Sequence, residues 1–363
     1  MGVLLLSTAA LTLLGLIMVL SASSVEAYTR FGSSFLFFKR QLAFAVVGSI
    51  VMTVTARMRY MAWRRLCAPL LVVSIGLLAL VLHPAAGTVA GGSARWLTLG
   101  PVTIQPSELA KLAVVVFAAT LLARRWQRLD DVRQLALPLV PVLLIVGGLI
   151  LFQPDLGTAV VVAASVIVLL FAAGARIKHL LFAGVTAVAL GMGLVASAGY
   201  RWSRFLSFLN PWADPQGSGY QVIQSLIALT SGGLFGVGLG ASRQKWLYVP
   251  NAHTDFIYAI IGEELGLLGM LIVVVLFGLL MFAGIRIALR APDAFGRLLA
   301  AGITGWFGAQ ALMNLGAVTG LMPITGIPLP FVSFGGSSLV VSLAAVGILV
   351  SIARDGREYR ARG

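Results

Sequence analysis

VPNAHTDFIYAIIGEELG, residues 249–266, sets Asp255 at the mouth of a long apolar run and buries two more carboxylates, Glu263 and Glu264, inside it. A carboxylate in or beside hydrocarbon costs several kcal/mol by most scales, so it marks function by default. Three so close together point to a site that handles a cation, a proton or a hydroxyl.

Working outward, apolar runs of the same kind recur from end to end of the 363 residues. The chain is 59% hydrophobic and 10% charged, with mean hydropathy +1.00. A helix of about 20 apolar residues crosses roughly 30 Å of hydrocarbon, and spanning segments must satisfy their backbone internally. The runs predict about ten spans, over 2–22, 40–57, 66–83, 107–124, 135–152, 157–174, 179–199, 256–285, 297–320 and 336–353. The expected fold is therefore an all-α polytopic bundle, one domain over 1–363, with a large extracytoplasmic loop between spans seven and eight. Cys67 is the only cysteine, which excludes an internal disulfide framework and a cysteine metal site. His83, His179 and His253 lack metal-ligand spacing.

A net charge of +14 raises the question of nucleic acid, but its distribution answers it. Arg57, Arg59, Arg64, Arg65, Arg124, Arg125, Arg128, Arg133, Arg176, Lys178, Arg286, Arg290, Arg297, Arg354, Arg357, Arg360 and Arg362 all fall on alternate connections. That is the positive-inside pattern, so both termini are expected in the cytoplasm and no nucleic-acid partner is implied. The first span opens almost at Met1 with no charged region before it. It reads as a retained span, from a chain lacking its cytoplasmic tail, rather than a cleaved signal peptide.

The connections on the other side, 84–106, 200–255 and 321–335, are long and rich in Gly, Pro and Trp. Loops held by a rigid scaffold are where binding and catalytic groups concentrate. Residues 219–231 read as an interfacial helix, with Gln221, Gln224 and Ser225 opposite Val222, Ile223, Leu226 and Ile227. The following glycines, Gly232 to Gly240, contain GxGxG spacing but no strand precedes them. Close packing or flexibility is a better use for them than phosphate binding. In span four Glu108 and Lys111 are three apart and can pair on one helical face. That pair is either a structural salt bridge or a cation held ready for an anion.

GGSARWLTLGPVTIQPSELAKLA, FQPDLGTA, GYQVIQSLIALTSGGLFGVGLG, NAHTDFIYAIIGEELG and GLMPITGIPLPFVSFGGSSL together resemble the SEDS family of cell-wall polymerases. Its members serve division (FtsW), elongation (RodA) and sporulation (SpoVE), and the stretch around Asp255 looks most like the division branch. The resemblance implies a ten-span peptidoglycan glycosyltransferase. Such an enzyme polymerises lipid II on the outer face of the bacterial cytoplasmic membrane, with undecaprenyl diphosphate leaving. It also implies an undecaprenyl-linked glycan substrate, a class B penicillin-binding protein as transpeptidase partner, and other divisome or elongasome membrane proteins. The family's essential carboxylate falls on Asp255 and its sensitive tryptophan on Trp96. Glu108, Lys111 and Asp155 match polar positions of the family's central cavity. Phe334 departs from the tyrosine common in the last motif, with little consequence expected for chemistry.

The chemistry of glycosyl transfer fits these residues. A sugar hydroxyl is a weak nucleophile, and a carboxylate within reach can take its proton. A departing diphosphate needs positive charge, from a divalent cation (Mg or Mn) or from basic side chains. Asp255 is the candidate base or metal ligand. Lys111, Arg201, Arg204, Arg243 and Lys245 are the candidate diphosphate partners. Plainer roles stand beside these. Asp255 could only cap the helix that follows it, and Asp155 the sixth span. Trp96 could be an interfacial anchor, and His253 a surface or hydrogen-bonding residue. Extrapolating a helix back from Glu263 puts it about 80° from Asp255, against about 180° for Glu264, so Glu263 is expected nearer the Asp255 face. Either could instead brace neighbouring helices. A lipid transporter or flippase and a non-catalytic scaffold are the competing classes. The chain lacks the repeated halves that transporters often show.

Overall fold

The computed structural model describes residues 1–84, 87–90, 93–100, 102–125, 132–246, 248–250 and 252–362. Its helices are α1 (Gly2–Phe31), α2 (Leu36–Arg57), α3 (Met61–Val81), α4 (Pro106–Arg124), α5 (Val132–Phe152), α6 (Leu156–Ala172), α7 (Ile177–Ala196), α8 (Gly199–Leu209), α9 (Tyr220–Ser231), α10 (Ile257–Leu289), α11 (Ala294–Val318) and α12 (Gly336–Arg362). Between α3 and α4 lies a small antiparallel meander of β1 (Gly87–Ala90), β2 (Ser93–Leu99) and β3 (Val102–Ile104). Eight helices, α1–α4, α7 and α10–α12, are long and apolar enough to cross a membrane, and α5 and α6 add shorter apolar stretches. Each of the ten expected spans falls on one of these ten helices. Arg128 and Asp130 lie outside the described residues.

The bundle is layered around α4, which is buried on nearly every side. It packs on α3, α6 and α11, while α10 lies along α11 and α1, and α12 along α2. Small residues let the last pair touch closely, since a Cβ on Gly347 would fall 1.9 Å from Thr55 Oγ1. By contrast, Leu180 is the only buried residue of α7. Leu6, Val72, Leu137, Phe182 and Leu289 turn outward, as lipid-facing side chains do. At the end opposite Asp255 the helices are tied by polar bonds. Tyr60 donates to Asp293 at 2.7 Å, Ser351 to the Met58 carbonyl and Arg354 to that of Ala56.

Three local features depart from the expectations. The first span runs on to Phe31, because the polar stretch after residue 22 continues the helix and ends at Gly32 in the left-handed conformation. Part of the 84–106 connection is the meander, with Thr88 opposite Trp96 and Leu97 opposite Ile104. And the expected polar face of α9 is partly turned inward. Its Ser225, expected on the polar face, is buried and donates to the Val318 carbonyl at 2.9 Å, while its far end meets α10 well inside that helix.

There α10 is broken at Gly266, whose φ is 67° and ψ −165°. The glycine-rich segment after α9 fills the break. Leu267 and Leu268 N–H donate to the Gly233 and Leu234 carbonyls, and Val237 and Gly238 N–H donate to the Glu263 and Glu264 carbonyls. Those α10 residues lie six to eleven past its start, on the order of 9–17 Å along the helix. Residues 220–240 therefore enter beside α10 and return. Four of the groups at the break are paired in this way, as backbone at membrane depth requires. The glycines serve close packing. A Cβ at Gly236, itself at φ +81°, would fall 2.1 Å from the Glu264 carbonyl oxygen. Gly236→Ala is expected to cost at least about 1–2 kcal/mol from left-handed backbone alone, before the clash. Thermal melting in detergent should fall clearly below that of Gly233→Ala. Gly233 shares the positive φ but has open space around it.

Candidate functional site

The site is built at the end of the bundle where α10 begins. Residues 253–255 are pinned through three successive carbonyls. His253 O accepts from Phe334 N at 2.9 Å, Thr254 O from Ser333 Oγ at 2.6 Å, and Asp255 O from Asn314 Nδ2 at 2.8 Å. The segment that grips them is held in turn. Gln41 of α2 brackets it through Ser333 O and Gly335 N, Gln310 Nε2 donates to Pro328 O, and Gly15 of α1 lets Phe331 and Val332 approach closely. Phe331 sits at φ 65°, a left-handed conformation that costs a non-glycine residue roughly 1–2 kcal/mol. Such strain persists only where packing over-determines it.

With its main chain fixed this way, the Asp255 side chain does not cap α10, whose N-cap is Phe256 with no side-chain hydrogen bond. The capping alternative falls. Asp155 does cap, accepting from Thr158 N at 3.1 Å and Thr158 Oγ1 at 2.8 Å, with Gln105 Nε2 at 3.4 Å. Burial pushes the Asp255 carboxyl up to about 6. Arg95 opposes this most, Asp155 adds to it, and His253 and Arg204 draw it down. The charges of Arg95 in β2, Arg204 in α8 and Asp155 at the start of α6 thus all bear on Asp255. His253 is buried rather than at the surface. Its Nδ1 lies 3.2 Å from Glu26 Oε2, and its ring is 4.7 Å from Phe37 and 5.5 Å from Phe334.

Arg95 escaped the sequence reading. Strand alternation puts Arg95 and Leu97 on one face of β2 and Trp96 on the other. The Arg95 guanidinium donates to the Gln153 carbonyl at 3.0 Å and to that of Pro154. It so closes the α5–α6 turn that delivers Asp155. The signal was present, an arginine in a loop motif next to Trp96, but only strand geometry distinguishes its face from that of Trp96. Trp96 is half-buried in β2, across from Thr88.

The other candidates separate into groups. Lys111 is 2% exposed and enclosed by Glu108 Oε1 at 2.9 Å, Gln310 Oε1 at 2.7 Å and the Trp306 ring at 5.0 Å. Trp306 Nε1 also donates to Gln310. Lys245 is buried against Glu264, 3.6 Å away, and the Gly240 carbonyl. Glu264 also accepts from Ser21 of α1. Glu263 accepts from Ser242 Oγ, Arg243 N and Gln244 N. It therefore braces the returning loop, the plainer of the two roles expected for it. Arg243 offers only its N–H here and its side chain is exposed, as is that of Arg204. Arg201 is half-buried on α8 and reaches the Leu194 carbonyl at 3.2 Å. Among the described residues no three His, Cys, Asp or Glu side chains gather as a metal cage.

A polytopic bundle with a carboxylate held at one end among arginines is the class that fold and site define. The family model FtsW/RodA/SpoVE, described as cell cycle protein, matches residues 2–358. The chain belongs to that family. Stage V sporulation protein E of Bacillus subtilis is 47% identical over 96% of this chain and 96% of its own length. The probable peptidoglycan glycosyltransferase FtsW of Trichlorobacter lovleyi is also 47% identical, over 96% and 92%. A solved structure, described as structural coordination of polymerization and crosslinking by a peptidoglycan synthase complex, superposes with TM-score 0.79. It is 35% identical and 97% of each chain is covered.

Proposed function

We propose that the protein is a peptidoglycan glycosyltransferase that polymerises lipid II on the outer face of the cytoplasmic membrane, for the septal wall, with Asp255 as the essential carboxylate. The observation that carries this is the pinned, non-capping Asp255, whose carboxyl feels the charges of Arg95 and Arg204. The acceptor hydroxyl attacks the anomeric carbon of the donor sugar, and its proton passes to the Asp255 carboxylate as the new bond forms. The bond to the diphosphate breaks, and undecaprenyl diphosphate leaves with the electron pair. Of the basic side chains near the site, Arg95 and Arg204 are best placed to meet that charge. Lys111 and Lys245 already face buried carboxylates. A single carboxylate suits Mg2+ or Mn2+ arriving with a diphosphate, since Mg2+ takes one or two protein carboxylates plus phosphate oxygens. Asp255 would hold it, and the ion would neutralise the leaving group.

Support for the reaction comes from the names of the FtsW relatives. Support for a transpeptidase partner, a class B penicillin-binding protein, comes from the polymerising and crosslinking complex. Both termini in the cytoplasm and Asp255 outside is the orientation favoured by the basic connections. A lipid transporter is the second reading, favoured by the break in α10, a device transporters use at their binding sites. Among the described helices α10 alone is interrupted, where paired broken helices would be expected. Purified protein and lipid II in detergent decide between the two, with and without the transpeptidase. Glycan strands are expected, and no polymer under either condition would remove the enzymatic reading. In spheroplasts, single cysteines near Gly217 and Gly326 should label from outside, and those near Asp130 and Asp293 should not. The reverse pattern would overturn the orientation.

A further inference from the structure

We propose that Asn314 is the positioning residue of the Asp255 site, holding the carboxylate-bearing segment and the 324–328 segment in one register through a single side-chain amide. The proposal rests on the reading of Asp255 as the essential carboxylate.

Asn314 lies in the last two turns of α11 and is 2% exposed. Its Nδ2 donates at 2.8 Å to Asp255 O and at 2.8 Å to Ile327 O. Both amide hydrogens are therefore committed, one to each segment. Its Oδ1 has no protein partner, so the residue acts here through donation, and an aspartate of the same shape could not replace it. The two segments meet at the carboxylate itself. A Cβ on Gly326 would fall 3.5 Å from Asp255 Oδ2, and Gly326, at φ +70°, adjoins Ile327. Asp255, Asn314, Ile324, Thr325, Gly326 and Ile327 line one narrow cleft.

Other bonds hold the same segments. Gln310, one turn earlier on the same helix, already ties the neighbouring Pro328 carbonyl. Ser333 and Phe334 secure the other side of the Asp255 segment. What Asn314 adds is the last bond, on the residue that carries the carboxylate. A displacement of about 1 Å at a reacting group can cost on the order of 10²-fold in rate. Loss of the amide should therefore appear in turnover and not in assembly.

The test uses the full chain in detergent with lipid II, measuring kcat, KM and thermal melting. Asn314→Ala removes the amide. Asn314→Leu keeps its bulk without its donors. Asn314→Gln keeps the donors on a longer stem. The expected result is a fall in kcat of about 10²-fold for Ala and Leu, with KM near the parent value, melting preserved in at least one of them, and partial recovery in Gln. Wild-type kcat in a folded Ala or Leu variant would overturn the proposal. So would a failure of both to fold, since Asn314 would then be a structural residue. Asp255→Asn, run in parallel, separates the two claims. If it stays active, the reading of Asp255 fails. If it is inactive while Asn314→Leu turns over normally, only the positioning role fails.

Discussion

Asp255→Asn yields a folded protein that polymerises lipid II at least about 10²–10⁴-fold more slowly, the usual range for losing a general base. The asparagine keeps the volume and the three carbonyl bonds of residues 253–255, which are main-chain. It cannot take a proton at neutral pH. Because the Asp255 side chain makes no cap to α10, Asp255→Ala should be equally inactive and nearly as stable. An Asn variant with normal turnover, at matched protein amount, would end the catalytic assignment. The pH profile adds a second readout. A carboxyl raised from 3.8 to about 6 by burial is ionised only above that value, so kcat/KM should fall as pH drops through about 6. Stability runs the other way. The folded state holds this proton more tightly than the unfolded chain does. The contribution is complete below about 4 and is lost as pH rises through about 6. In Asp255→Asn that stability step should vanish. If the carboxylate instead binds Mg2+ or Mn2+, adding the ion should move the acidic limb to lower pH. If it is the base alone, the limb should stay in place.

Lys111→Met is expected to lose most of its folded yield. It leaves Glu108 buried beside an apolar side chain, and breaking a buried pair from one side costs about 3–5 kcal/mol. It also takes a hydrogen bond from Gln310, the residue that holds Pro328 and through it the segment against Asp255. Adding Glu108→Gln removes the stranded charge, so the double variant should melt close to the parent. Its turnover then decides what Lys111 does. Since the ammonium is enclosed by Glu108, Gln310 and Trp306, measurable turnover is expected to return with the fold. A stable double variant that binds lipid II but makes no glycan would instead restore the diphosphate role to Lys111.

How far the site was legible follows from where each residue sits. Asp255 was readable because a charge at the mouth of an apolar run is costly to keep unless it has a task. The pairing of Glu108 with Lys111 was readable because both lie on one helix, where spacing is geometry. Arg95 was not, since its face depends on a short strand whose partners lie across the meander. That Glu263 braces was foreseen as one of two roles, but the loop it braces lies about 20 residues away in sequence and no helical wheel names it. Ser225 of α9 was misassigned to a polar face because, like Gln221 and Gln224, it looks like a group seeking water. Ser225 instead finds the Val318 carbonyl at the end of α11, and no local pattern names such a partner.

The sequence by itself determined the ten apolar spans, the alternate placement of the basic connections and the one carboxylate most exposed to suspicion. Each follows from length, hydropathy and charge along the chain, which the membrane reads segment by segment. Only the tertiary structure decided which carboxylates brace or cap and which one is left without a side-chain hydrogen bond. It also decided that a glycine-rich loop fills the break in α10, and that Asn314, Ser333 and Phe334 fix the backbone at Asp255. Those outcomes depend on hydrogen bonds between residues tens to hundreds of positions apart, and such bonds exist only once the helices have packed.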